Sequence, residues 1–568
     1  MGARDRSKVP RTGGGGSSKK TKPTASGSPA KAPLLTVADV ERVEERRLWV
    51  PSRETAVSLL VLPRLVSAMA SPIADCDETF NYWEPLHYLL FGFGFQTWEY
   101  SPAYALRSYL YLRLHSAVTT ATTFGLRLGL LGGGESADEA SKLVLFYALR
   151  GALGLICAYA ESYFYQSSIR HFGRRTARYL LWLLVFNAGL FHASTAFLPS
   201  SFVMYLVMLF TSAWMDGSHF LALFWGIVAV LCGWPYVGVL FVPFAIDTLA
   251  VRGIVKSVLA GVAIGGVVLG LELYVNFHYY QQFVFPAWNI VKYNVLSSET
   301  DSTLYGTEPL SYYLLNLALN FNVAALLAVP GVIAAAFLLP AHYPTSRLHR
   351  VAFLSPLYIW MAIMMTQPHK EERFLSPVYS LLCLAAAITL SAVVYRLRRL
   401  LGSGSAAQFV RNSVVVSTLG VYILLSVSRV ASNIINFGAP LRVYQHLQAN
   451  VLPNHATSVL AGSTGAATVN LCLLKEWYRF PSSFFIPTNA TQVQFVKSSF
   501  AGLLPKPFEQ HANGTSIIPS HMNDLNREEP SRYVQLSACD YVVDLNLPDQ
   551  HETKFWEHPT EWQLIHAE

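Results

Sequence analysis

Three carboxylates within four residues mark one place in this sequence where chemistry is possible. Asp75, Asp77 and Glu78 directly follow an apolar stretch, and carboxylates at the edge of a bilayer are costly unless they have a function. Such a group can accept a proton from an acceptor hydroxyl as a general base. A helix N-cap or a solvated loop start would use the same residues, so both interpretations stay open on spacing alone.

A second polar cluster, at 367–375, separates two apolar stretches. His369, Lys370 and Arg373 occur here together with two glutamates. Arg and Lys suit a phosphate, because their charge-assisted hydrogen bonds to its oxygens are strong. A loop with internal ion pairs would explain the same residues, but the density of charge favours phosphate binding.

The two clusters complement each other chemically. If they share one pocket, a carboxylate can take the proton of an acceptor hydroxyl while the cations stabilise the charge that grows on a leaving phosphate. This combination predicts group transfer from a phosphorylated lipid. We predict no metal and no cofactor, because side chains supply the cations.

The composition indicates that a bilayer surrounds the elements that position these residues. The chain has 568 residues, of which 52% are hydrophobic and 14% charged, whereas soluble domains carry about 25% charged residues. A transmembrane helix needs about 20 apolar residues. We predict a polytopic α-helical membrane protein with about eleven transmembrane helices, over 55–71, 142–165, 178–197, 202–216, 219–234, 236–250, 257–276, 312–339, 351–366, 376–395 and 412–430.

The basic residues between these helices predict their orientation. The tail at 1–54 has twelve Lys and Arg residues against six Asp and Glu, and its Gly, Ser, Pro and Lys content predicts disorder. A nucleic-acid-binding patch is the alternative, but we predict no nucleic-acid partner, because the rule that cytosolic flanks are basic explains the charge. Four further clusters then fall on the cytosolic side: Arg170, Arg174 and Arg175; Arg252 and Lys256; Arg347 and Arg350; and Arg396, Arg398, Arg399 and Arg411.

The opposite side carries the long loops. The transmembrane region at 55–430 has luminal loops at 72–140, 277–311 and 367–375. Beyond it the hydropathy falls, and apolar segments alternate with Pro, Asn and Ser clusters, which predicts a luminal C-terminal α/β domain at 431–568.

Sequons and cysteines agree with this placement. Asn489 and Asn513 begin Asn-X-Thr sequons in the C-terminal region, as expected for luminal glycosylation. Cys472 and Cys539 form a possible pair there, since disulfides persist in the lumen; Cys76 is also placed on that side. The thiols in apolar stretches are predicted to be packing residues: Cys157, Cys232 and Cys383.

An aromatic and polar segment at 95–102 follows the carboxylates in the first luminal loop. It includes Trp98, Glu99 and Tyr100. Aromatic side chains anchor proteins at lipid headgroups, and they also stack on sugar rings. The sequence does not separate the two uses.

Five segments together resemble one family. The chain is similar to the dolichyl-phosphate-mannose-dependent alpha-1,2-mannosyltransferases of asparagine-linked glycosylation, which belong to glycosyltransferase family 22 and have the GT-C fold. The likeness runs from about residue 50 to the end. Its segments are Asp75–Pro102 (DCDETFNYWEPLHYLLFGFGFQTWEYSP), Phe197–Ser201 (FLPSS), His369–Leu375 (HKEERFL), Lys475–Phe484 (KEWYRFPSSF) and Glu528–Tyr533 (EEPSRY).

The resemblance implies a reaction. Mannose would pass from dolichyl phosphate mannose to dolichyl-diphosphate oligosaccharide acceptors, Man6GlcNAc2 and Man8GlcNAc2, on the luminal side of the endoplasmic reticulum membrane. A beta-linked donor and an alpha-linked product require inversion, which needs one base and no covalent intermediate.

The resemblance also assigns roles, residue by residue. It places the base in the first luminal loop at Asp77, with Glu78 and Asp75 as alternatives, and donor phosphate binding at Lys370 and Arg373 with help from His369. The implied sugar contacts are Glu84, Trp98, Glu99 and Tyr305.

Other functions remain open at this point. A transporter would also be polytopic, but it would place ionisable residues near the bilayer midplane, often on broken helices. Trp234-Pro235 is a candidate for such a break, whereas the charge lies at the luminal rim. A non-catalytic subunit of a glycosylation complex is a second alternative. Among enzymes, the alternatives are the alpha-1,6-mannosyltransferase of the same pathway and the mannosyltransferases of glycolipid-anchor assembly.

Overall fold

The structure is a computed structural model that describes residues 43, 45, 47–128, 137–296, 304–340, 343, 345–453, 468–487, 490–545 and 554–568. Leu48–Glu568 forms one compact unit, separate from Met1–Arg47. The predicted disorder of the basic tail and the sequon residue Asn489 lie outside the described residues.

Apolar helices dominate the described chain, as predicted. Six are long and apolar enough to cross a bilayer, and two more are apolar but shorter. The six are Lys142–Phe186, Pro235–Arg252, Ile254–Tyr280, Arg347–Thr366, Glu372–Leu401 and Ser405–Phe437, and the two shorter ones are Pro199–Met215 and His219–Gly233. The prediction of a polytopic helical fold is confirmed.

The helix that precedes the acidic cluster, Arg53–Ala70, contains an arginine that the fold neutralises. Arg64 is fully buried and pairs with Glu161, with Nη2 2.5 Å from Oε1, and it also donates to Leu184 O. A buried charge is tolerated when it is paired and hydrogen-bonded. This ion pair therefore ties the helix Arg53–Ala70 to the helix Ala137–Phe186.

Two predicted helices are joined more closely than the sequence indicated. A loop was expected at 166–177. The helical run Ala137–Phe186 is interrupted at Gly173, where φ is 81° and ψ is 166°, so two helices meet at this residue. This conformation is open to glycine without steric cost. The predicted break between two helices is confirmed, but it is shorter than the predicted loop.

The predicted helix at 312–339 is interrupted. Leu310–Phe321 ends at Asn322, whose φ of 39° breaks the helix, and Val323–Ala328 follows. Pro330 then precedes the short turns Gly331–Ile333 and Ala334–Leu338, since proline cannot continue a helix.

The basic segments between helices meet on one face, as their predicted common side requires. Side chains from three of these segments reach one another, the turn that follows Pro199–Met215, or the start of the compact unit. The contacts are Arg170 Nη2 with Asp216 Oδ2 at 2.5 Å, Arg252 Nη2 with Gly217 O at 2.9 Å, His171 Nδ1 with Thr345 Oγ1 at 3.0 Å, and Arg174 Nη1 with Leu48 O at 3.1 Å.

The first long loop is itself helical. Cys76–Glu78 leads through the π-turn Thr79–Trp83 into the helix Glu84–Phe91, and Tyr109–Arg127 follows. Between them the chain doubles back at Gly94, where φ is 153° and a Cβ would lie 2.5 Å from Glu84 O. Only glycine permits this close approach.

The C-terminal region contains the predicted strands. β2 (Val469–Leu473) lies between β3 (Thr491–Phe495) and β5 (Tyr541–Val543) in a parallel sheet. A separate antiparallel pair joins β1 (Phe95–Gln96) in the first loop to β4 (Lys506–Pro507). The loop and the C-terminal region are thus held together by backbone hydrogen bonds.

One disulfide crosslinks this sheet region. Cys472 in β2 is bonded to Cys539, just before β5, so the possible pair is confirmed. The predicted packing thiols at Cys157, Cys232 and Cys383 are free and buried.

Further short helices complete the described chain. They are Ala188–Ala193, Pro286–Val291 and Ala439–His446, with the π-turns Ala229–Gly233, Lys292–Leu296 and Leu447–Val451. The helix Glu372–Leu401 lies at the centre of the bundle, since 94% of its most apolar 18-residue stretch is buried. The basic cluster leads into its first turn.

Candidate active site

The acidic and basic clusters meet at one guanidinium group. Arg373 Nη1 lies 2.9 Å from Asp75 Oδ2, and Arg373 Nη2 lies 2.6 Å from Asp77 Oδ2. Its Nε pairs with Glu371. The expectation that the two clusters share one pocket is confirmed, although Arg373 and Asp77 are 296 residues apart in sequence.

Local structure orients both sides of this centre. Asp75 is the N-cap of the turn Cys76–Glu78: its Oδ1 accepts from Asp77 N at 2.9 Å, which leaves Oδ2 for Arg373. Asp and Asn favour this capping position. On the other side, Phe374 O accepts from Trp360 Nε1 at 2.8 Å and holds the backbone next to the arginine.

The other two basic residues act in the same turn. His369 Nε2 lies 2.9 Å from Glu371 Oε1, and its Nδ1 lies 2.9 Å from Gly306 O. Lys370 is buried and donates to Glu308 O at 2.7 Å and to Gln367 O. The lysine thus ties the turn at 367–370 to Glu308, and its role in phosphate binding stays a prediction.

Charge and burial give the two aspartates different pKa values. Burial raises the pKa of Asp75 to about 7, against the attraction of Arg373. Burial acts in the same direction on Asp77, but the attraction of Arg373 and Arg107 outweighs it and leaves the pKa below the ordinary 3.8. At neutral pH Asp77 is therefore ionised, whereas Asp75 is about half protonated.

The histidine and Glu371 form a second pair. The hydrogen bond to Glu371 raises the pKa of His369. For Glu371, burial would raise the pKa, but Arg373 and the hydrogen bond from His369 lower it below the ordinary value. The raised pKa favours the protonated form of His369, which lies four residues before Arg373 in the same turn.

Glu78, an alternative candidate for the base, occupies a different environment. It is buried, and its Oε1 accepts from Trp83 Nε1 and from Phe197 N, both at 3.0 Å. These bonds join the acidic loop to the start of the helix Pro199–Met215. The position favours a structural role over that of a base.

Glu84 is also committed within the protein. Its carboxylate is fully buried and accepts from Ser482 Oγ at 2.9 Å, from the Ser483 N and Oγ at 2.6 and 2.8 Å, and from Phe95 N at 3.1 Å. Four donors leave no room for a sugar hydroxyl. The expected sugar contact is therefore corrected to a clamp between the first loop and the C-terminal region.

The predicted contact at Glu99 lies beside the centre. Arg107 Nη2 binds Glu99 Oε1 and Oε2 at 2.8 and 2.9 Å, and Arg107 Nη1 donates to Tyr82 Oη at 2.7 Å. Arg107 also acts electrostatically on Asp77. Glu99 is paired, and its role as a sugar contact remains a prediction.

Aromatic residues border the same region. The Trp98 ring lies 5.1 Å from the Tyr104 ring and 5.2 Å from the Tyr293 ring. Tyr305 is 48% exposed and close enough for Asp77 and Glu99 to act on it electrostatically. Exposed aromatic surface next to the carboxylates suits a sugar ring, so both sugar contacts stay predictions.

The acidic loop also has the spacing of a cation site. One ligand atom from each of Asp75, Cys76 and Asp77 can lie within 4.8 Å of the others. In the described chain Arg373 forms an ion pair with each of the two carboxylates, so its single positive charge is shared between them.

One predicted glycosylation site is described. Asn513 is exposed, and Thr515 Oγ1 donates to Tyr279 O at 2.8 Å. The asparagine side chain is thus accessible at the surface, while occupancy of the site remains a prediction.

Two residues of the site were not singled out from the sequence. Arg107 could have been noticed as a cation eight residues after Glu99. Glu371 is one of the two glutamates of the basic cluster, and its pairs with Arg373 and His369 are the internal ion pairs that were considered as an alternative there.

A bundle of apolar helices that carries ionised carboxylates and fixed cations at one end defines a membrane-embedded group-transfer enzyme. The comparison with known sequences is more specific. The chain belongs to the Alg9-like mannosyltransferase family, whose profile it matches over residues 55–487. The family resemblance expected from the motifs is confirmed, and the chain is a glycosyltransferase.

Individual relatives are similar over most of their length. The alpha-1,2-mannosyltransferase ALG9 of Mus musculus is 40% identical over 529 residues, which cover 91% of this chain and 83% of the mouse protein. The corresponding protein of Schizosaccharomyces pombe is 38% identical over 519 residues, which cover 87% and 85%. Among solved structures, ArnT from Cupriavidus metallidurans bound to undecaprenyl phosphate has a TM-score of 0.49 and 13% identity, with 78% of this chain and 85% of ArnT covered.

Proposed function

We propose that this protein transfers mannose from dolichyl phosphate mannose to a dolichyl-diphosphate oligosaccharide in alpha-1,2 linkage, with inversion at the anomeric carbon. The proposed acceptors are Man6GlcNAc2 and Man8GlcNAc2. The observation that carries the proposal is the contact between Arg373 and Asp77. This contact supports the proposal because it would let Asp77, as the base, and Arg373, as a phosphate ligand, act on the same mannosyl phosphate.

The reaction follows from these positions. Ionised Asp77 accepts the proton of the acceptor hydroxyl, whose oxygen attacks the anomeric carbon from the face opposite the phosphate. The bond between the anomeric carbon and the phosphate oxygen breaks, and dolichyl phosphate leaves with the electron pair. Arg373 and protonated His369 stabilise the charge on that phosphate.

Arg373 is already neutralised by three carboxylates, so the donor must take over part of its hydrogen bonding. A guanidinium has five N–H donors in a rigid fork, and a phosphate can replace one carboxylate without loss of the others. Asp75, with its raised pKa, is the carboxyl that can become protonated and release a donor group to the phosphate.

The proposed location is the endoplasmic reticulum membrane, with the N-terminus in the cytosol and the C-terminal region in the lumen. Two observations support it. The basic segments share one face of the bundle, as cytosolic loops would. The Cys472–Cys539 disulfide lies in the C-terminal region and would persist in an oxidising compartment.

The test is mannosyl transfer by the purified full-length protein in lipid nanodiscs, with dolichyl phosphate mannose and the six-mannose lipid-linked acceptor. We expect one mannose to be added and to be removable by an alpha-1,2-mannosidase. Asp77→Asn should lower kcat about 100-fold or more, the usual contribution of a general base. Arg373→Lys should raise the KM for the donor, because lysine lacks the planar fork.

Asp216→Asn is the matched control. Asp216 also accepts a hydrogen bond from an arginine, Arg170. It lies at the C-terminal end of the helix Pro199–Met215, about 25 Å from the start of that helix. This variant should keep wild-type turnover. Full turnover in Asp77→Asn would move the base to Asp75, and a mannosidase-resistant product would favour the alpha-1,6 enzyme.

A further inference from the structure

A carboxylate inside the membrane bundle has no part in the chemistry above. Glu272 lies in the apolar helix Ile254–Tyr280, about two turns before its end, and is fully buried. Among the described residues, the side chains of Ser108 and Asn276 lie near enough to interact with its carboxylate, but neither makes a hydrogen bond of good geometry with it. An ionisable residue at such a position is costly, and it usually faces a cavity and marks a substrate path.

A small cavity lies against this carboxylate. Its volume is about 40 Å³, and its lining includes Glu272, Tyr82, Arg107 and Trp234. A buried water needs about 10–15 Å³ measured in this way. The cavity therefore holds two or three water molecules, or the hydroxyl or hydroxymethyl group at one edge of a sugar ring.

The cavity borders both halves of the candidate active site. On the acidic side, Arg107 in the lining donates to Tyr82 Oη at 2.7 Å and acts electrostatically on Asp77. On the basic side, the Trp234 ring lies 5.3 Å from the ring of Phe374, the neighbour of Arg373. A sugar bound against the Asp77–Arg373 pair would thus have this cavity nearby.

The polar neighbours of Glu272 serve to hold the cavity open. Asn276 Nδ2 donates to the backbone Glu272 O at 2.9 Å and to Ser108 Oγ at 3.3 Å, and Asn276 Oδ1 accepts from Tyr109 N at 2.9 Å. Tyr280 Oη donates to Arg107 O at 2.8 Å. These bonds fasten the first luminal loop to the helix that carries Glu272.

We propose that Glu272 binds a hydroxyl group of the mannosyl ring of the donor in this cavity and so contributes to sugar specificity. This inference rests on the proposed function. A carboxylate only accepts hydrogen bonds, so its partner must be a donor such as a sugar hydroxyl and not the phosphate. Such O–H···O⁻ bonds are short and strong, and a site built for one discriminates strongly against a ligand that lacks it.

The experiment compares donors that lack single hydroxyl groups. Wild type, Glu272→Ala and Glu272→Gln are assayed in nanodiscs with dolichyl phosphate mannose and with its 2-, 3-, 4- and 6-deoxy analogues. In the wild type, one analogue should lose about tenfold or more in kcat/KM, as expected for a hydrogen bond to a charged group. In Glu272→Ala the penalty for that analogue should disappear. The kcat/KM for the natural donor should fall about tenfold, while the KM for the acceptor stays unchanged.

Ser257→Ala is the matched control, because Ser257 is buried in the same helix but bonds to Gly253 O and Thr248 O at its other end. It should show wild-type penalties for every analogue. If Glu272→Ala does not fold, Glu272→Gln, which keeps the size of the side chain, gives the result: a reduced penalty supports the proposal.

The same wild-type penalty for each analogue in a folded Glu272 variant would overturn the inference. So would a general loss of activity that is equal for all donors, because that is the pattern of a purely structural role. Absence of mannosyl transfer by the wild type would instead refute the proposed function, so the two failures are distinguishable.

Discussion

At the scale of single residues, the site consists of one cation shared by three carboxylates. Burial raises the pKa of both aspartates, but Arg107 and a hydrogen bond from Arg373 act in addition on Asp77 and lower its pKa. Asp77 is kept ionised, while Asp75 binds a proton near pH 7. Groups with pKa values pushed apart in this way often have separate acid and base roles.

The pH dependence of kcat/KM should identify the base. A base works only when ionised, so if Asp77 is the base, its lowered pKa keeps the acid limb below about pH 4, near the ordinary 3.8. If Asp75 is the base, the rate should fall about tenfold per pH unit below its pKa of about 7. We expect the first result, measured between about pH 4.5 and 8 in a buffer series of constant ionic strength.

The Asp75→Asn variant separates the two cases further. It should retain activity with an equal or tighter affinity for the donor above pH 7, because the neutral amide resembles the protonated carboxyl and forms no ion pair with Arg373. An acid limb near pH 7 in the wild type that vanishes together with all activity in Asp75→Asn would contradict Asp77 as the base.

At the scale of elements, the acidic loop is held in place by the C-terminal region. Glu84 bonds to Ser482 and Ser483, Thr79 Oγ1 donates to Phe480 O at 2.9 Å, and β1 pairs with β4. The segment 475–484 is therefore part of the support for the base, although Ser482 lies 398 residues from Glu84 in sequence.

Glu84→Ala should destabilise this junction. It leaves the two serines and Phe95 N without their acceptor, and each buried unsatisfied group costs about 1–3 kcal/mol. We expect a lower thermal midpoint and faster proteolysis within 468–545, measured in nanodiscs. Glu509→Ala serves as control, since its partly exposed pair with Lys506 contributes little; equal midpoints for both variants would argue against the clamp.

At the scale of the whole molecule, the sheet region is closed by the single disulfide of the described chain. Cys472 and Cys539 are 67 residues apart, and closing a loop of that length stabilises a fold by about 4 kcal/mol in the chain-entropy model. The remaining cysteines of the described chain are free.

Thiol labelling should confirm the pairing in the native protein. After denaturation without reductant, a maleimide–polyethylene glycol should modify four of the six cysteines, and after reduction all six. Cys472→Ser with Cys539→Ser should label at four in both conditions and should unfold at a lower temperature. Six labelled thiols before reduction would show that the bond is absent and would remove one support for the luminal placement.

The local signals in the sequence were sufficient for the helical membrane fold, the family and the two reactive clusters. Apolar stretches of bilayer length, basic loops and the segments HKEERFL and NYWEP are all local, so each can be read without knowing its neighbours in space. Even here the break at Asn322 was missed, because a single residue can break a helix without lowering its hydropathy. The predicted loop at 166–177 proved to be a turn at Gly173.

Tertiary contacts alone decided what each polar residue does. Arg64 looked unsuited to a membrane helix until Glu161 was found beside it, Glu84 proved to be a clamp, and Glu371 joined the centre at Arg373. The energy of a buried charge depends on which groups surround it in space. Those groups come from distant parts of the chain, so the roles emerge only when the helices and the C-terminal region are packed together.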